Sequence, residues 1–224
     1  MNRRMLFGFA LMVLTAGTGV AWAQEEVPFG SFGRKVETCG GVPATIVGTS
    51  GDDVIVGTAG PDVIVGGPGN DNINGLTGDD IICGDSGNDT IQGHQGNDVL
   101  YGGNGDDIMD GGVFGFPGPG NLEFPASQNV LYGENGKDIL FAADFGSDTL
   151  FGGNQDDELS GFQAPVELHG ENGQDRLVGG IFNDKLFGGN ADDSLDGNAG
   201  IDYLDGDHGT DTCVNGEVNT YCEP

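Results

Sequence analysis

The sequence predicts an all-β protein, a parallel β-solenoid wound from tandem repeats and closed by short caps. Three observations carry that prediction. A nine-residue period holds phase over most of the 224 residues, one place of the period is apolar throughout, and the segments between apolar places are short and glycine-rich. Glycine contributes 45 residues and the formal charge is −29. Such a composition borders on that of disordered chains, so order has to come from the pattern. The charge sets nucleic acids and anionic membrane surfaces against the chain and favours cations as partners.

Residues 1–23 read as a secretory signal peptide. Arg3 and Arg4 precede an apolar run from Met5 to Leu14 that is too short to span a bilayer, and Ala21-Trp22-Ala23 offers a cleavage site before Gln24. An uncleaved anchor is the competing reading. No later run is apolar enough to span, so the expected location is secreted, extracellular or at the cell surface, where disulfides persist. Residues 24–47 are expected to form an N-terminal cap.

From Gly48 the chain reads GTSGDDVIV, GTAGPDVIV, GGPGNDNIN, GLTGDDIIC, GDSGNDTIQ, GHQGNDVLY and GGNGDDIMD, ending at Asp110. A long frame, Gly111 to Tyr132, carries a loop insertion near 112–128. GENGKDILF and a ten-residue frame, AADFGSDTLF, follow, and seven frames then run from Gly152 to Val214. The eighth place is Ile55, Ile64, Ile73, Ile82, Ile91, Leu100 and Met109, then Leu131, Leu140, Leu150, Leu159, Leu168, Leu177, Leu186, Leu195 and Leu204, with Cys213 last. Each frame therefore holds a three-residue strand with one side chain inward and two outward. So short a strand is stable only when stacked on copies of itself, and six linking residues are too few for a crossover helix. Two frames per coil place the strands alternately on two sheets, with the Ile/Leu row between them.

The motif GGxGxDxUx, fullest at Gly66–Asn74 and Gly102–Asp110, resembles the hemolysin-type (repeats-in-toxin, RTX) calcium-binding nonapeptide. The resemblance spans about Ala44 to Val214 and implies a right-handed parallel β-roll with calcium between stacked turns. It also implies that such rolls often serve as modules of secreted hydrolases and toxins.

The sixth place explains why a cation is needed. It is Asp53, Asp62, Asp71, Asp80, Asp89, Asp98, Asp107, Asp138, Asp148, Asp157, Asp175, Asp184, Asp193, Asp202 and Asp211, with Asn129 and Val166 as exceptions. Asp53, Asp71, Asp89 and Asp107 fall on one edge of the coil, and Asp62, Asp80 and Asp98 on the other. Two carboxylates about 5 Å apart repel by roughly 3 kcal/mol at an effective dielectric near 20. A buried Ile or Leu returns about 1.5–3 kcal/mol, so without counter-ions the coil is expected not to close. Multiple Ca2+ ions suit the seams, because calcium takes six or more oxygens in flexible geometry. Magnesium keeps its water, and zinc prefers nitrogen and sulfur. The competing reading makes each Asp a turn former. Frames up to Asp107 keep Gly at the fourth place, whereas later ones carry Gln155, Ala164, Phe182 and Ala191. The N-terminal half is therefore expected to bind more completely than the second half.

Cys213 and Cys222 bracket VNGEVNTY, a short segment that a disulfide would fold over the last coil, with residues 215–224 forming a C-terminal cap; Cys39 and Cys83 then pair by elimination. Val63, Val65, Ile81, Cys83, Val99 and Tyr101 make one outer face apolar, and residues 24–42 are expected to cover it. The Phe/Pro-rich stretch 113–127 reads as a bulging loop, either folded back on the apolar sheet or carrying a binding surface.

An enzyme is not expected. His94, His169 and His208 occupy different places of the frame, and no hydrolase or nucleotide motif occurs. The expected function is that of a secreted calcium-binding protein whose β-roll folds on loading Ca2+, with a structural or adhesive role outside the cell. The alternative is a module that binds a surface glycan or protein through the 113–127 loop or an outer sheet. A disordered acidic calcium buffer is a third reading.

Overall fold

A computed structural model describes residues 19–21, 36–112 and 127–222. Among them there is no helix, and parallel strands build two ten-stranded sheets. Counting frames from Gly48, the odd frames supply one sheet: Asp53–Val56, Asn72–Asn74, Thr90–Gln92 and onward to Thr212–Val214. The even frames supply the other, from Val63–Pro68 and Ile81–Ser86 to Tyr203–His208, with Ile46–Val47 and Val218–Thr220 outermost. Pairing follows the expected register of two frames per coil. Ile55 sits beside Ile73 and Ile73 beside Ile91, while Ile64 sits beside Ile82 and Ile82 beside Leu100. The long and ten-residue frames absorb their extra residues outside the strands, so Leu100, Leu131 and Leu150 stay aligned.

The eighth-place row is the core. Ile55 to Leu204 are fully buried and form one cluster, with Cys213 packed against its end. Odd-sheet strands are mostly three residues long, as the pattern predicts, but most even-sheet strands are six. They continue through the first-place glycine because the next frame's second and third places also pair, as Gly103 with Glu134 and Asn104 with Asn135. The third-place residues Asn104, Asn135, Asn154, Asn172 and Asn190 stabilise this extension. Each amide donates to the one before it, at 2.9–3.4 Å.

Both caps involve a disulfide. Thr38–Cys39 and Val42–Pro43 form a small antiparallel hairpin on the even sheet's outer face. Cys39, Val65 and Cys83 cluster there with Val63, Ile81 and Tyr101 against them, and Cys39 is bonded to Cys83 with Cα atoms 5.6 Å apart. The remainder of the proposed cover, 24–35, lies outside the described residues, as does the insertion at 113–126. At the other end Cys213 is bonded to Cys222. The segment between them adds Val218–Thr220 beside Tyr203–His208. Gly19–Ala21 pairs with Asp53–Val56; these three residues lie inside the predicted leader, and cleavage at Ala23 would leave Asp53–Val56 at the rim.

On the even sheet's outer face the ninth-place rings Tyr101, Tyr132, Phe151, His169 and Phe187 stack face to face, with centroids 4.7–5.0 Å apart. Coil pitch sets that spacing, since adjacent strands lie about 4.8 Å apart.

Candidate metal centre

The solenoid carries its sixth-place residues inward to the two edges of the core, and every sixth-place Asp is at most 5 % exposed. A ladder of main-chain hydrogen bonds holds one carboxylate oxygen of most of them. The Asp53 N–H donates to Asp71 Oδ1 at 2.8 Å, Asp71 to Asp89 at 2.7 Å, and Asp89 to Asp107 at 2.7 Å. The other edge repeats this from Asp62 to Asp80 and from Asp80 to Asp98. Asn129 keeps its rung by accepting from Asp98, whereas Val166 only donates, to Asp184. The C-terminal cap supplies a substitute rung: Glu217 Oε2 accepts from the Asp202 N–H at 2.6 Å. Nothing in the repeat pattern marks Glu217, which lies beyond the last frame. The ladder tempers the repulsion expected from the sequence, because each rung offsets part of a carboxylate's charge.

The second oxygen separates two kinds of frame. Oδ2 has no hydrogen-bond partner in Asp71, Asp80, Asp89, Asp98, Asp107, Asp138, Asp157, Asp175, Asp193, Asp202 and Asp211. In Asp53, Asp62, Asp148 and Asp184 it accepts from the second-place N–H of its own frame: Thr49 at 2.5 Å, and Thr58, Ala143 and Gly180 at 2.6 Å. The difference lies in the backbone. Wherever Oδ2 is unpartnered, the second-place residue has left-handed φ, from Asn198 at 61° to Gly189 at 116°. Thr49, Thr58, Ala143 and Gly180 do not adopt that conformation, and their N–H turns onto the carboxylate.

Unpartnered buried carboxylate oxygens are costly. The chain's described cations do not relieve them: Lys137, Arg176 and Lys185 pair instead with Asp156, Glu158 and Glu167 on neighbouring turns. Desolvation accordingly pushes eight of these carboxyls well up, opposed by the ladder hydrogen bond and reinforced by neighbouring acids. Asp80, Asp89, Asp138 and Asp175 rise to about 6, Asp98, Asp107 and Asp193 to about 7, and Asp157 to about 8.

The oxygens around these carboxylates fit calcium. A Cβ on Gly66 would collide with Asp71 Oδ2 and lie 2.9 Å from the Gly84 carbonyl; a Cβ on Gly152 would be 2.5 Å from Asp157 Oδ2 and 2.9 Å from the Gly170 carbonyl. The first-place glycine thus lets a carboxylate and the next coil's carbonyl converge. Among the described residues no group of three or more His, Cys, Asp and Glu side chains is gathered as a cage. The donor set is therefore one of carboxylates with main-chain oxygens, hard ligands that suit calcium and not zinc.

The expected contrast between N-terminal and C-terminal halves appears along one edge only: on the even edge Asp80 and Asp98 lie in the first half, while Asn129, Asp148, Val166 and Asp184 lie in the second. Odd frames keep the same backbone to the end, and Gln155 and Ala191 hold left-handed φ of 82° and 90° where glycine is missing. Even frames that lose the fourth-place glycine, at Ala164 and Phe182, abandon it.

No curated protein matches the chain in a sequence search. The family model of the RTX calcium-binding nonapeptide repeat matches residues 47–82, 84–114, 126–145, 141–161, 169–204 and 187–220, well over half of the chain. With the β-solenoid and its rows of buried aspartates, this match places the chain in the family of RTX calcium-binding nonapeptide repeat proteins.

Proposed function

We propose that the protein is exported by its N-terminal leader and acts outside the cell as a calcium-loaded structural β-roll, with multiple Ca2+ ions held by sixth-place aspartates and loop carbonyls. The observation that carries this reading is the row of buried carboxylate oxygens with no protein partner. Divalent cations shared between turns would satisfy them, so loading is coupled to folding and favours the complete roll. Two disulfides, Cys39–Cys83 and Cys213–Cys222, accord with an oxidising compartment.

A structural role is favoured over catalysis because the buried carboxylates recur at one fixed place of the repeat. It is also favoured over glycan capture on the even sheet, where Tyr132, Phe151 and His169 each present both ring faces to neighbouring rings and only their edges to solvent. Calcium titration of the disulfide-intact protein, followed by circular dichroism with magnesium as control, tests the reading. A cooperative gain of β-signal with calcium alone is expected. Full β-content and an unchanged melting midpoint in chelator would refute it.

A further inference from the structure

On the reading that this roll binds calcium, we infer that its two edges are not equivalent: the odd-frame edge is one continuous calcium seam, and the even-frame edge is broken, by its own backbone at Asp62, Asp148 and Asp184 and by loss of the carboxylate at Asn129 and Val166. On the odd edge every frame from Gly66 to Val214 has a left-handed second place and an unpartnered, buried Oδ2, so each pair of successive coils offers two such oxygens across one seam. Asp107 and Asp211 are 0 % exposed. Calcium between coils needs ligands from both, and the odd edge supplies them without a break.

The even edge is interrupted in two ways. Asn129 and Val166 remove the carboxylate, while at Asp62, Asp148 and Asp184 a second-place N–H already occupies Oδ2. Releasing that oxygen means breaking a charge-assisted hydrogen bond and rotating the backbone into the left-handed region. That rotation is unfavourable for the β-branched Thr58 and for Ala143. Only Asp80 and Asp98 remain as unpartnered neighbours on successive even coils. Second-place backbone handedness, rather than the presence of Asp, thus decides which turns take metal. Calcium removal should loosen one edge while the hydrogen-bonded edge keeps its ladder.

The direct test is a crystal structure of the full chain grown in calcium, with an anomalous difference map. Peaks along the odd-frame loops, and none beside Asp148 or Asp184, are expected. Peaks of equal height at Asp148 and Asp184 would overturn the edge assignment while leaving the calcium reading intact. No bound calcium on either edge would bring down that reading as well. A second measurement keeps the carboxylates in place. Glu134 is an exposed second-place residue with φ of 74°, so Glu134→Gly preserves the conformation and Glu134→Val opposes it. Native mass spectrometry should count at least one calcium fewer on Glu134→Val than on Glu134→Gly. Equal counts would refute the role of backbone handedness.

Discussion

The metal-free roll should become more stable as the solution is acidified, the reverse of ordinary acid denaturation. The perturbation is to hold disulfide-intact protein in chelator and lower the pH from 8 to 6. Burial holds the carboxyls of Asp98, Asp107 and Asp193 at about 7 and that of Asp157 at about 8, against an ordinary value of 3.8. Folded-state values above the unfolded value mean that the folded chain binds the extra protons. Their contribution is complete below about pH 4 and is lost as pH rises through 6 to 8. One such group, protonated only when folded, gives a slope of about 1.4 kcal/mol per pH unit. In a chain of this size that is roughly 3–6 °C in melting midpoint per pH unit, and several groups titrate in the same window. Thermal melts followed by circular dichroism at pH 8, 7 and 6 measure it. A midpoint that stays flat or falls across this range would show that the carboxyls are not desolvated as the fold places them. With calcium present the trend should reverse, since protons and cation compete for the same oxygens.

Other consequences follow from the packing. Leu168→Ala removes a fully buried member of a core only one residue wide, and should cost about 2–5 kcal/mol in calcium-saturated urea melts. Cys83→Ser opens a closed stretch with a sequence separation of 44 and should cost about 4 kcal/mol, whereas Cys222→Ser, with a separation of 9, should cost about 3 kcal/mol. Measuring both by denaturant melts tests the order as well as the size. Gly136→Ala puts a Cβ into the Gly105 carbonyl at a φ of 149°, a region open essentially to glycine alone. A loss of at least about 1–3 kcal/mol in thermal stability is expected there, and none for a substitution of exposed Gly51, whose Cβ would meet nothing.

Much of the fold was legible because the repeat enforces it. A side chain buried every ninth residue leaves Ile55, Ile64 and Ile73 no arrangement but alternation between two sheets, and the same arithmetic put Asp53 and Asp71 on one edge. The disulfides were legible as well, since one apolar face needed cover and Cys83 sat on it. Backbone handedness was hidden. Gly180 and Gly189 occupy the same place in frames that open alike and differ from the third to the fifth place, GGIFND and GGNADD, yet only Gly189 is left-handed. The difference runs with neighbouring coils: Gly189 pairs with Glu171 and Asp207, both left-handed, whereas Gly180 stacks on Phe162, which is not. Glu217 escaped notice for a related reason, because it serves as a rung only once the cap has folded over Asp202.

The column of rings from Tyr101 to Phe187 turns coil spacing into an optical signal. Chromophores held parallel at 4.7–5.0 Å couple electronically, so near-ultraviolet dichroism and tyrosine emission report how tightly the spiral is wound. Any slackening between adjacent coils in this stretch would alter those spectra without an added label, giving the molecule its own strain gauge along the even face.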